Sequence, residues 1–464
     1  MNAKGWQMGR KALWAVVLLV SPLTALAAGP QAMVCPDTPS PLLRGAQCAS
    51  VEVPLRHAEA DGESITLFVR RIPADPDVAR QGEVWLLSGG PGEAGASLYP
   101  YIRTYQKAFP GYDLVIPDHR GTGRSTRICP AEEAPQSAEG TALAGSEWGS
   151  CIGWMYANLP RTSAFSITEA AHDLGVLMSD ARERGGQVLL YGVSYGTQLA
   201  LRALQVNEMQ VDGLVLDGLV PPEATETWDL SRRTALVDEV GRQSLDAASL
   251  ARYRTLLAVK DAGWKKDVPG GDLRRFFAAL LSFPTLRDRI PQIVAGLSDG
   301  DATVLTATVS DWHAALAALG QSGDDQPALP LVMLVAASEN NARPALTQAI
   351  VDEEAKDALF VSPIPGLLVN GAVPRYPRDA WFGKSPQHLP RTLVVHGTLD
   401  PNTSYAGARQ HAATLAHAGS VQFHTVERGA HLLPLVAPHC FSTSVRAFVA
   451  GGAAPERCAE PSSE

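Results

Sequence analysis

The 464-residue sequence is poor in charge, at 19% Asp, Glu, Lys and Arg, and poorest in basic charge, with 39 Lys and Arg against 48 Asp and Glu. Disorder needs more charge and less apolar content than the 45% present, so a large packed core is expected. A net charge of −9 with no Lys/Arg block excludes nucleic acid as an expected partner, because phosphate binding needs a basic surface that releases counterions. There is no C-x-x-C, so the cysteines read neither as metal ligands nor as a redox motif. No internal repeat is visible, and past residue 27 no apolar run is long enough to span a membrane.

What is present begins with a leader. Lys4, Arg10 and Lys11 precede an apolar run at 12–20 and a small-residue site, Ala25-Leu26-Ala27, the pattern of a secretory signal peptide over residues 1–27. The run is short for a span and Ser21-Pro22 breaks it, so no stable membrane insertion is expected once the leader is cleaved. Export, to a periplasm or out of the cell, puts the six cysteines in an oxidising compartment. They fall into three sequence-local couples, Cys35 with Cys48, Cys129 with Cys151 and Cys440 with Cys458, and three structural disulfides are expected.

Residues 51–55 and 65–70 alternate in period two around Asp61-Gly62, which predicts an opening antiparallel hairpin. The short apolar runs at 84–87, 113–116, 188–191, 214–216 and 393–395 have the near-continuous character of strands buried on both faces of a parallel sheet. A capping box, Ser166-Ile167-Thr168-Glu169, opens a helix through Met178, and 198–206 has helical spacing. This alternation predicts an α/β sheet with helices on both faces. Residues 221–390 read mostly as helices, for example at 272–281, 302–319 and 344–359, a helical cap inserted before the last strands. The expected organisation is a core over 28–220 and 391–450, the cap over 221–390, and a loose C-terminal tail over 451–464 tethered by Cys458.

Gly192-Val193-Ser194-Tyr195-Gly196 places G-x-S-x-G between a predicted strand and a predicted helix, the setting of a nucleophile elbow with Ser194 as nucleophile. A serine hydroxyl needs a histidine to take its proton and a carboxylate to hold that histidine. Asp400 follows the strand at 393–395 by a short loop, and His431 follows the alternating run at 421–426, so the order Ser194, Asp400, His431 is that of the α/β-hydrolases. Among eleven histidines the rivals are His396, which ends a strand, His424, which sits inside one, and His439 beside Cys440. The turn Gly89-Gly90-Pro91-Gly92, directly after the strand at 84–87, is placed to supply an oxyanion-hole N–H from Gly90, with a second from Tyr195. Asp118-His119-Arg120-Gly121-Thr122-Gly123-Arg124-Ser125 lacks the Gly-Lys-Ser/Thr ending of a phosphate loop and reads as a tight structural turn.

Together these motifs resemble the α/β-hydrolases of the prolyl iminopeptidase and tripeptidyl aminopeptidase type, from about Val84 to Phe448. Gly-Gly-Pro-Gly is the more specific element, and Cys440 looks like the C-terminal segment of the secreted tripeptidyl aminopeptidase branch. The resemblance implies a serine hydrolase without cofactor or metal, an exported exopeptidase that cleaves short peptides near a free N-terminus through an acyl-enzyme. An exported carboxylesterase or lipase with the same triad is the alternative, and an inactive hydrolase-like binding module the third. An exopeptidase must distinguish a free amine, which calls for a shielded carboxylate. Glu339, in Ala336-Ala337-Ser338-Glu339-Asn340 after the apolar run 331–337, resembles the Ser-Glu segment in the cap of the tripeptidyl aminopeptidases, and Glu223 and Glu226 are its rivals.

Overall fold

The computed structural model describes residues 29–461, except 37–39, 135, 138–142, 144, 184, 260–261, 320–325 and 370–372. The leader expected at 1–27 lies outside the described residues. Ten strands form one sheet, β1 (Gln31–Met33), β2 (Gln47–Pro54), β3 (Ser64–Ile72), β4 (Gly82–Leu87), β5 (Tyr112–Asp118), β6 (Gln187–Val193), β7 (Gly213–Asp217), β8 (Thr392–Gly397), β9 (Val421–Glu427) and β10 (Arg457–Ala459). Their order is β1-β2-β3-β5-β4-β6-β7-β8-β9-β10. The pairs β1/β2, β2/β3 and β3/β5 are antiparallel, and every pair from β5/β4 onward is parallel.

The unbroken apolar runs are explained by what covers them. In β4, Trp85 and Leu87 join a core with the helices Ile167–Asp180 and Tyr195–Val206, whereas Val84 and Leu86 point the other way, toward the helices Ile102–Ala108 and Pro438–Val449. β6, β7 and β8 divide in the same manner. With successive side chains on opposite faces, a strand covered on both sides buries apolar residues at consecutive positions, and the polar residues it keeps, such as Glu83 in β4, are hydrogen-bonded. Ser166 caps its helix through its side chain, accepting the Glu169 N–H. The capping box is only half made, because the Glu169 carboxylate accepts the His57 N–H at 2.9 Å rather than turning back to Ser166.

Between β7 and β8 the described elements are all helical. Helices from Arg233–Ser244 to Thr303–Ala318 share an apolar cluster that includes Tyr253, Phe277, Ile293 and Phe360. The helix Leu329–Glu339 differs, since its Leu331, Leu334 and Val335 pack into the main core beside Tyr195 and Tyr376. Two expectations need correction. The helix expected over 344–359 is confined to Gln348–Glu354, because Thr347 caps its start and Leu359 and Phe360 are drawn into the helical cluster. The segment from 451 is no loose tail: residues 457–459 pair with 425–427 of β9, and the Glu460 carboxylate accepts the N–H groups of His439 and Cys440 at 3.0 and 2.9 Å.

The three disulfides join Cys35 to Cys48, Cys129 to Cys151 and Cys440 to Cys458. Among the described residues no helix is long and apolar enough to cross a membrane.

Candidate active site

Ser194 ends β6 and precedes the helix Tyr195–Val206 with φ 55° and ψ −123°, a left-handed conformation that costs a serine about 1–3 kcal/mol. The turn is possible because the residues two before and two after Ser194 are glycines. A Cβ on Gly192 would lie 2.3 Å from the Gly196 carbonyl oxygen, and one on Gly196 would lie 2.5 Å from that of Leu87. The elbow is fastened from β7, whose Asp217 carbonyl accepts the Ser194 N–H at 2.9 Å.

Asp400 and His431 are carried by the loops after β8 and β9. His431 Nδ1–H donates to Asp400 Oδ2 at 2.7 Å, which leaves Nε2 as the basic nitrogen. Asp400 also accepts the N–H groups of Asn402 and Thr403 and the Thr403 hydroxyl, at 2.7, 2.9 and 2.7 Å. Burial alone would raise its pKa, but the His431 charge and these donors hold it well below the usual carboxylate range. Burial alone would lower that of His431, and the Asp400 carboxylate reverses the direction and leaves it above its ordinary value. His431 and Ser194 line one cavity, of about 520 Å³, with Gly89, Gly90 and Leu432.

The oxyanion-hole donors expected from the sequence are placed around the same serine. Gly90 lines both cavities that Ser194 lines, at φ 111°, where a Cβ would be 2.3 Å from the Gly92 nitrogen. Tyr195 opens the elbow helix, so its N–H is one of the unsatisfied donors of a helix N-terminus. Neither N–H donates to another group among the described residues. None of the rival histidines lines the cavities of Ser194: His396 is buried beside the Asp400 loop, with Nδ1 on the Gly397 carbonyl and Nε2 3.3 Å from the Thr403 hydroxyl, His424 contacts the Pro455 carbonyl, and His439 is exposed. The loop 118–125 braces the core, with Asp118 accepting the N–H groups of Gly95 and Arg124, and Arg120 paired with Asp173 at 2.6 Å.

A second cavity, of about 590 Å³, opens from Ser194 and Tyr195 toward Pro221, Glu223, Trp228, Asp229, Arg233 and Asn340. Glu339 does not line either cavity. It is 3% exposed, stands 4.0 Å from Arg202, and burial pushes its pKa up to about 7 against the pull of that guanidinium. Glu223 does line the second cavity, but Arg202 donates to both its oxygens at 2.9 and 2.8 Å. Glu226 is exposed and lines neither.

Sequence reasoning missed two carboxylates. Asp217, at the end of β7, is fully buried beside His431, accepts from the Tyr191 hydroxyl and the Leu433 N–H, and has an unpartnered Oδ1. Burial pushes its pKa up to about 7. Glu93 follows the Gly-Gly-Pro-Gly turn and lines the His431 cavity. One metal-like grouping occurs among the described residues, Cys129, Glu133 and Cys151, but its two sulfurs are already joined to each other.

The family model described as alpha/beta hydrolase fold matches residues 84–253, which hold the Gly90 turn and Ser194, and the model described as TAP-like protein matches 370–460, which hold Asp400 and His431. Serine protease Hip1 of Mycobacterium tuberculosis, and that of Mycobacterium bovis, are 28% identical over 199 residues, 39% of this chain. The match spans 37% of the length of those relatives. Among solved structures, a thermophilic esterase from Thermogutta terrifontis aligns at 14% identity over 87% of this chain and 98% of its own, with a TM-score of 0.37. A laboratory-evolved variant of a potato epoxide hydrolase aligns at 14% identity over 83% and 96%, with a TM-score of 0.39. This chain has the α/β-hydrolase fold, with hydrolase-type sequence over 84–253 and TAP-like sequence over 370–460.

Proposed function

We propose that this protein is an exported serine hydrolase that cleaves short peptides near a free N-terminus, using Ser194 as nucleophile, His431 as base and Asp400 as its orienting carboxylate. One observation carries the reading: a serine on a strained elbow shares a cavity with a histidine whose Nδ1 is held by an ionised aspartate. In this mechanism Ser194 Oγ attacks the carbonyl carbon and its proton passes to His431 Nε2. The oxyanion is received by the N–H groups of Gly90 and Tyr195, each such donor contributing about 10²–10³-fold in rate. The imidazolium, stabilised by Asp400, then protonates the leaving amine, and a water molecule repeats the sequence to release the acyl group. Residues 221–390 act as the cap, supplying Trp228, Arg233 and Asn340 to one cavity and Leu319 to the other. The Hip1 similarity and the TAP-like match support a peptide substrate, and three disulfides support an oxidising compartment, periplasmic or extracellular.

The test is fluorophosphonate labelling of the wild-type protein and of Ser194→Ala, joined to a substrate panel of aminoacyl arylamides, Pro first and then tripeptides, against acyl nitrophenyl esters. Label on the wild type alone, with a kcat loss of about 10³-fold or more in Ser194→Ala, is the expected result. Label that persists in the variant removes Ser194 from the mechanism. Turnover of esters with none of arylamides replaces the peptidase with a carboxylesterase.

A further inference from the structure

Three polar groups in the His431 cavity have no hydrogen-bond partner among the described residues. Glu93, Ser97 and Tyr101 all line it, around walls formed by Leu98, Val193, Leu319 and Leu432. The Ser97 Oγ is buried without a hydrogen-bond partner. The Glu93 carboxylate and the Tyr101 hydroxyl likewise have none among the described residues. Glu93 and the nucleophile flank one residue: a Cβ placed on Gly89 would be 3.2 Å from Ser194 Cβ and 3.5 Å from Glu93 Oε2.

Glu93 is half-buried, has the His431 charge acting on it and takes no N–H or O–H donor, so a positively charged donor entering the cavity would meet an unpaired carboxylate. Every other carboxylate lining a Ser194 cavity is already engaged. Glu223 is on Arg202, and Asp229 accepts from the Ser231 hydroxyl and the Ala342 N–H.

We propose that this cavity receives a primary ammonium group of the substrate, its three N–H donors taken by Glu93, the Ser97 Oγ and the Tyr101 hydroxyl. The match is one of number and charge. An alkylammonium offers three donors and one positive charge, and the cavity offers three acceptor groups, one of them a carboxylate. A guanidinium presents a planar fork of five donors that suits a bidentate carboxylate instead. Burial raises the Glu93 pKa while the His431 charge lowers it, and burial followed by the Glu93 charge pushes that of Tyr101 up to about 12. The ammonium has two possible sources, the α-amine of the acyl part or an amine carried by the leaving part that His431 protonates. The inference rests on the serine-hydrolase reading, because Ser194 and His431 make this cavity part of the reaction site.

The experiment uses two substrate pairs on the full chain. One is an aminoacyl nitrophenyl ester with its α-amine free or acetylated, and the other is an acetyl ester whose leaving alcohol carries an aminoalkyl arm, free or acetylated. In each pair the ratio of kcat/KM, free over acetylated, is measured for the wild type, Glu93→Gln and Tyr101→Phe. The expected result is a ratio of about 10 or more in one pair, which identifies the source, falling about 10- to 30-fold in Glu93→Gln and less in Tyr101→Phe. Ratios near one in the wild type, or unchanged by Glu93→Gln, overturn the ammonium site. So does an equal loss on all four substrates, which places the carboxylate at His431 rather than on substrate. Fluorophosphonate labelling of the wild type separates the two levels. Without label the hydrolase reading falls and takes the site with it, and with label an unchanged ratio rejects the ammonium site alone.

Discussion

The ends of β7 and β8 each set a buried aspartate near His431, and the two are in opposite states. Asp400 takes four donors, from His431, Asn402 and twice from Thr403, and is held ionised. Asp217 takes two, from Tyr191 and Leu433, leaves one oxygen bare, and keeps its proton up to about pH 7. Burial is the same for both, at 1% and 0% exposure, so depth in the protein does not decide which one carries charge. The company each keeps decides it: the His431 charge and hydrogen bond, joined by the donors of its loop, hold Asp400 ionised, and the Asp400 charge in turn raises Asp217. A loop after a strand, with free backbone N–H groups, makes an anion site that the strand end itself cannot make, because its N–H groups are spent in the ladder.

The comparison breaks most readily at Asp400. Asp400→Asn should lower kcat by about 10³- to 10⁴-fold while far-UV circular dichroism is unchanged, since the amide no longer stabilises the imidazolium or holds the right tautomer. A loss under tenfold would mean that Asp217 serves equally well. Asp217→Asn should cost less than about tenfold at the alkaline plateau, and its signature lies in pH. An ionised Asp217 favours protonated His431, so its removal should move the acid limb of kcat/KM to lower pH. An unmoved limb makes Asp217 electrically silent toward the base.

The same group shapes stability. Asp217, Glu133 and Glu339 each have a folded pKa pushed by burial up to about 7, above the unfolded value. The folded state then keeps protons that the unfolded state has released, so their contribution is present at low pH and is lost as pH rises toward 7, by up to about 1.4 kcal/mol per unit for each group. Asp217→Asn should therefore flatten the fall of Tm between pH 5 and pH 8, which calorimetry at the two values can measure. An unchanged fall would remove Asp217 from the protonated set. The smallest effect on turnover belongs to the double substitution Cys440→Ser with Cys458→Ser, which should cost about 2–4 kcal/mol of stability but less than twofold in kcat, read by urea unfolding and steady-state assay. A larger kcat loss would tie that bridge to the His431 loop.

What the sequence discloses and what it hides follow from how local each feature is. The elbow is written in five consecutive residues between a strand and a helix, and the cysteine pairs are close in sequence, so Ser194 and the three bridges are legible without any tertiary contact. Asp400 and His431 are legible because each follows a strand by a short loop. Asp217 looks like the last residue of a strand, and nothing near it in the chain reports that Leu433 and His431 fold back upon it. Glu93 reads as part of a turn until Ser97, Tyr101 and Leu319 are drawn round it. Glu339 stands out for its place after an apolar run, a pattern that finds a buried carboxylate but not whether it faces the cavities beside Ser194. Arg457–Ala459 is too short and too polar for any periodic signal.

That last strand has a consequence for handling the protein. β10 covers the outer edge of β9, and the Cys440–Cys458 bond anchors it there. With the bond reduced, β10 is held by three residues of pairing, the Arg457–Glu427 ion pair and the Glu460 contacts to His439 and Cys440, and their release would uncover a row of bare backbone donors and acceptors along β9, a template for another chain. Reduction in a thiol-rich cell interior should then show itself as insoluble protein well before it shows itself as lost catalysis.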